Sequence, residues 1–174
     1  MIKSNARSAG GTTIRRVLFT VATVMTAAVV SAQPRTPTPK DAETGRVLVT
    51  LTEYRKAMEA RSLDRLAAVV DPELTVIEGI HKNAGWPDYR DNHIGPEMKD
   101  WKAFQVLDPL ISEVTVSGDH AYALQQATYT ITTAKDTVVL DGVESFVLRK
   151  SSDTWKIKLV HFSAKRRENK GEMK

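Results

Sequence analysis

From Phe104 onward the chain places apolar and β-branched residues at every second position in four long segments, broken at Ser117-Gly118-Asp119, Ala134-Lys135-Asp136 and Ser151-Ser152-Asp153. Alternation of this period turns one side of each segment toward a core and the other toward water, and the Gly, Asp and Ser clusters supply chain reversals. The pattern predicts a four-stranded antiparallel meander. A meander with one apolar face needs a cover, and the residues before it can provide one. Val47, Leu48, Leu51, Tyr54, Ala57 and Met58 recur at three- and four-residue spacing with Glu53, Arg55, Lys56 and Glu59 between them, which predicts an amphipathic helix. Ser62 is placed to cap a second, short helix over 63–70, ended by Asp71-Pro72. Leu74 to Ile80 then reads as a strand with Leu74, Val76, Glu78 and Ile80 on one face, so a carboxylate interrupts an apolar row. Residues 81–101 carry Pro87 and Gly95-Pro96 and read as broken helix. Helices first and long strands afterwards imply an α+β domain, a curved antiparallel sheet with the N-terminal helices packed on one face.

The N-terminus has a different character. Lys3, Arg7, Arg15 and Arg16, with no acidic residue, precede the uncharged run Val17 to Val30, and Val30-Ser31-Ala32 follows. A basic region, a short apolar run and small residues at the end read as a signal peptide over 1–32, too short to cross a bilayer. A periplasmic or secreted location is the expectation, with no stable membrane association after cleavage. Residues 33–42 hold three prolines in QPRTPTPK and read as a linker, and 166–174 as a polar basic tail. The sequence holds 25 Lys and Arg against 21 Asp and Glu, and four of the cations lie in residues 1–32. The remainder is balanced, which argues against a nucleic-acid partner. Without cysteine, stability rests on an apolar core, and thiolate chemistry and Cys-ligated zinc are excluded.

The order helix, short helix, strand, broken helix, meander, with TEYRKAMEARSLDRLAAVVDPELTV at one end and DTWKIKLVHFSAKR at the other, resembles the nuclear-transport-factor-two-like superfamily. Within it, residues 43–165 are similar to the SnoaL-like and ketosteroid-isomerase-like branch. The resemblance implies a cone-shaped α+β barrel around a pocket, a homodimer, and acid/base chemistry of isomerase or lyase type with no cofactor on a small, largely apolar molecule. It equally implies a non-catalytic ligand-binding or assembly domain, because this fold carries both. Aligned without gaps from the first helix through the first strand, Tyr54 falls at that family's oxyanion-hole tyrosine and Glu78 at its carboxylate base, and the later segment VESF places Glu144 at its protonated acid, so these three are the catalytic groups the resemblance implies.

Each residue also has its own reading. Glu144 shares a strand face with Val138, Leu140, Phe146 and Leu148, so it is either desolvated, lines a polar pocket, or is a structural carboxylate. Tyr54 on an apolar helix face is either a core tyrosine or a hydrogen-bond donor. His161 alternates with Trp155, Ile157 and Leu159, which predicts an inward-facing fourth catalytic group. His81, Trp86, Tyr89, His93 and Glu97 crowd into one segment and are expected to bind substrate at the pocket mouth. His93 and Glu97 have the spacing of metal ligands on a helix, but Gly95-Pro96 between them is expected to break that helix, and no metal is predicted.

Overall fold

The computed structural model describes residues 39–168. The expected signal peptide and most of the linker lie outside the described residues.

Helix α1 (Pro39–Glu59) begins inside the stretch expected as linker and buries Val47, Leu51, Tyr54, Ala57 and Met58. At its start Glu43 accepts hydrogen bonds from Lys150 Nζ (2.9 Å) and Trp155 Nε1 (2.8 Å), tying the helix to the far end of the sheet. These contacts and Arg46, the largest influence, hold the Glu43 carboxyl down at about 2. Helix α2 (Leu63–Val69) is capped by Ser62, whose hydroxyl accepts from the Arg65 N–H. Its last residue leads directly into β1 (Val70–Glu78), and Gly79 (φ 57°) with Ile80 turns the chain into β2 (His81–Ala84), a strand absent from the sequence expectation. Ile80 belongs to that turn and not to the strand, and it is 97% exposed.

Residues 86–100 form one helical segment with a change of pitch. Helix α3 (Trp86–Tyr89) passes through a π turn (Arg90–Ile94) into α4 (Gly95–Asp100). The expected break at Gly95-Pro96 is absent. Proline lacks an N–H and crowds the carbonyl one turn back, and the wider π turn absorbs both defects by bonding the Gly95 N–H to the Arg90 carbonyl. Gly95 is required there, since a Cβ would lie 2.2 Å from that same oxygen.

Strands β3 (Trp101–Ser117), β4 (His120–Thr133), β5 (Thr137–Ser151) and β6 (Thr154–Arg166) follow, their turns at the three predicted reversals. The six strands form one curved, open sheet in the order β2-β1-β6-β5-β4-β3. All neighbours are antiparallel except β1 and β6, which run parallel, so the sheet is mixed rather than wholly antiparallel. The core lies between the helices and the sheet's inner face, where Phe146, Leu148, Ile157 and Val160 meet Leu51, Tyr54 and Leu66.

Candidate functional site

The inner face does not close completely on the helices. A cavity of about 80 Å³ remains among α1, β1, the helical segment and strands β3 to β6. Its apolar lining includes Met58, Val76, Ile94, Trp101, Phe104, Ile131, Leu140, Val160 and Phe162, and its polar groups are Tyr54, Glu78, Tyr89, Glu97, Tyr129 and Glu144. Gly142 shapes the wall: a Cβ there would lie 2.7 Å from the Phe162 ring and 2.9 Å from that of Tyr129, which instead meet edge to face at 5.1 Å.

Glu144 is the buried end of the site, 7% exposed and with no cation in contact among the described residues. It sits opposite Gln125 in the β4–β5 ladder, and Gln125 Nε2 donates to its Oε2 at 2.8 Å. The Tyr129 hydroxyl donates to the same oxygen at 2.6 Å. Burial pushes the Glu144 carboxyl up to about 7, even though both donors favour the charged form. With two donors converging on Oε2, the proton of the neutral acid belongs on Oε1, which accepts from no described residue. A protonated Glu144 therefore offers a hydrogen-bond donor to the cavity.

Burial raises the Tyr54 hydroxyl far above its usual range, and Tyr89, Glu144 and Tyr129 add to the effect. Burial does the same to Tyr89, with Glu97 next, and to Tyr129, with Glu144 next. All three phenols thus stay neutral donors at any working pH.

The mouth is built differently. Glu78, at the end of β1, is 47% exposed, and its Oε2 lies 3.2 Å from His93 Nε2, while Glu97 Oε1 lies 3.5 Å from the same nitrogen. The continuous helix through Gly95-Pro96 is what sets His93 beside Glu97. Burial raises the Glu97 carboxyl, His93 opposing and Glu78 reinforcing the shift. On the other side of the ring, His93 Nδ1 lies 2.7 Å from Asn83 Oδ1. Asn83 is oriented by donating Nδ2 to Asp88 (3.2 Å), which also accepts from the Ala84 N–H and from Asn92. That orientation leaves Asn83 an acceptor, so Nδ1 of His93 carries hydrogen, and Nε2 faces the two carboxylates. No group of three His, Cys, Asp or Glu among the described residues has metal-holding geometry.

The structure thus brings Tyr54, Glu78, Tyr89, Glu97 and Glu144 to one cavity. His93 stands just outside, and exposed His81 lines a shallow groove beyond with Glu78, His93 and Glu97. Two expected placements are corrected. Trp86 packs against the core beside Tyr89 (6.3 Å between rings) and lines no part of the cavity. His161 faces outward and is exposed: Val147 pairs with Leu159 and Leu148 with Ile157, so Lys158 is an extra residue in β6. This bulge inverts the alternation beyond it, turning Val160 and Phe162 inward in place of His161. Gln125 and Tyr129 were absent from the sequence expectation, although both share the parity of Ala121, Ala123 and Ala127 on the buried face of β4.

A SnoaL-like domain model matches residues 47–166. The chain belongs to the SnoaL-like domain family. Solved structures agree on the fold at low sequence identity. A nuclear-transport-factor-2-like superfamily protein from Salmonella enterica serovar Typhimurium superposes with a TM-score of 0.64 at 19% identity, covering 76% of this chain and 98% of that one. A Kribbella flavida protein gives 0.66 at 17%, covering 74% and 96%. A hexachlorocyclohexane dehydrochlorinase from Novosphingobium barchaimii gives 0.60 at 13%, covering 75% and 92%. No curated protein matches this SnoaL-like chain in sequence.

Proposed function

We propose that this SnoaL-like domain is a cofactor-free proton-transfer enzyme acting on a small, largely apolar molecule. The observation that carries the reading is the pairing, in one cavity, of a buried carboxyl held partly protonated near neutrality with a second, solvent-connected carboxylate. Environments that separate two carboxyl groups in this way assign them opposite roles. Glu78, open to water and oriented by His93, is the base that takes a proton from carbon and returns it. Glu144 and Tyr54 donate hydrogen bonds to the oxygen on which charge develops. The same proton removal begins an elimination, the reaction named by the dehydrochlorinase neighbour, so isomerase and lyase chemistry are both within reach of these groups.

The export reading rests on the basic and apolar pattern of residues 1–32 and places this chemistry in the periplasm or outside the cell. A homodimer is part of the proposal. Leu110, 59% exposed, and Val143, 38% exposed, lie together on the outer sheet face with Gln126. The same patch favours a second reading, an assembly domain without turnover.

The test is isomerisation of a β,γ-unsaturated cyclic ketone, followed by the absorbance of the conjugated product. The wild type is expected to turn over, and Glu78→Gln to lose about 10²–10⁴-fold in kcat. Unchanged turnover in Glu78→Gln removes the base assignment. An inert wild type moves the reading to assembly.

A further inference from the structure

The charges around the cavity are one-sided. Glu78, Glu97 and Glu144 line it, and no lysine or arginine does. His93 stands just outside the cavity, and its Nε2 already faces both Glu78 and Glu97. The uncharged wall is aromatic: Trp101 stacks on Phe104 at 4.9 Å, Phe104 meets Tyr129 at 6.2 Å, and Tyr129 meets Phe162 at 5.1 Å. Glu144, though more than nine-tenths buried, directs both of its protein hydrogen bonds to Oε2 and leaves Oε1 without a partner among the described residues.

We infer that the molecule taken by this cavity is a small organic cation, an apolar body carrying one protonated amine and an oxygen acceptor. The inference deepens the proton-transfer reading and rests on the same cavity. The oxygen accepts from Oε1 of Glu144, the unfilled position at the buried end. The ammonium is held toward Glu97 and against the aromatic faces, whose negative quadrupoles attract cations most strongly where water is excluded. An anionic ligand meets the Glu78 and Glu97 carboxylates, with no lysine or arginine of the described residues lining the cavity to receive it, so charge alone rejects it. A neutral ligand gains the apolar contacts but leaves Glu97 with only its share of His93.

The experiment compares benzylamine, benzyl alcohol and benzoate, equal in size and different in charge, by NMR titration of the full-length protein near pH 6, where Glu144 holds its proton, following the Trp101 indole signal. Benzylammonium is expected to bind at least about ten-fold more tightly than benzyl alcohol, and benzoate more weakly than either. In Glu97→Gln the advantage of the ammonium over the alcohol is expected to shrink several-fold while alcohol binding stays unchanged. Equal binding of amine and alcohol, or tightest binding of benzoate, overturns the inference. An unchanged ratio in Glu97→Gln overturns the placement of the charge. No binding of any of the three overturns the inference as well. None of these outcomes touches the proton-transfer reading, which stands or falls on ketone turnover.

Discussion

Asp71 and Glu144 are buried carboxylates of the same sheet, 2% and 7% exposed, and their surroundings treat them in opposite ways. Burial raises the Asp71 carboxyl, but the Glu73 N–H (2.9 Å), Arg149 (2.8 Å) and Lys158 (3.6 Å) together hold it below the ordinary range. Glu144 has only two neutral donors, on one oxygen, and burial carries it up to about 7. Compensated by cations, a buried carboxylate serves as a tie, here joining β1 to β5 and β6. Left uncompensated, it keeps a proton that can be given and retaken near neutral pH. The cavity lies at the uncompensated one.

If that contrast is right, the largest effect on stability comes from breaking the tie. Asp71→Ala leaves Arg149 of β5 and Lys158 of β6 without their buried partner and is expected to cost about 3 kcal/mol, the lower part of the range for buried pairs because Arg149 and Lys158 are partly in water. Urea denaturation measures it, and a loss under about 1 kcal/mol would show that Asp71 is no tie. Because its folded carboxyl titrates below 3.8, the contribution stands above that pH and disappears as pH falls through the folded value.

Glu144 has the opposite sign. Its carboxyl titrates near 4.5 in the unfolded chain and near 7 in the fold, so between those values the native state binds the extra proton. Stability falls as pH rises through that window and the whole penalty remains above it, about 3 kcal/mol. Glu144→Gln still accepts from Tyr129 and Gln125 and is expected to gain most of that amount at pH 8 and little near pH 4, at the expense of turnover. Equal stability gains at both pH values would mean that the carboxyl titrates normally.

The contrast was only partly legible in the sequence. The three reversals and the short cap at Ser62 were readable because turn and cap chemistry is local. Glu144 and Tyr54 were readable as polar residues on apolar faces, an anomaly that one element displays by itself. The partners that decide what each does lie on other strands. Gln125 looks like half of a polar Gln125-Gln126 pair until the buried parity of β4 is followed through Ala123 and Ala127. His161 was misplaced because the bulge at Lys158 depends on pairing with β5 and leaves no local signature. Gly95-Pro96 lies between His93 and Glu97 in the sequence, and its helix-breaking tendency hides a proximity that the π turn restores.

Tyr129 tests whether the elevated carboxyl comes from burial alone. Tyr129→Phe removes one of the two donors that favour the charged form, so the Glu144 titration, followed by carboxyl-carbon NMR, is expected to move above 7 with a stability loss of about 1 kcal/mol. A shift downward would mean that the phenol stabilises the neutral acid instead.

The smallest effect belongs to Glu73, which reaches Lys158 at 2.6 Å and stands beside Asp71 but is itself mostly in water. An exposed pair gains little from Coulomb attraction in high dielectric and gives back part of that in side-chain entropy, so Glu73→Gln is expected to change stability by less than about 0.5 kcal/mol. Lys158 then has Asp71 alone to face, and the low Asp71 carboxyl is retained because its own donors are untouched. A loss comparable to that of Asp71→Ala would show that the four charges act as one network, and the tie would have to be assigned to the cluster instead of to its buried member.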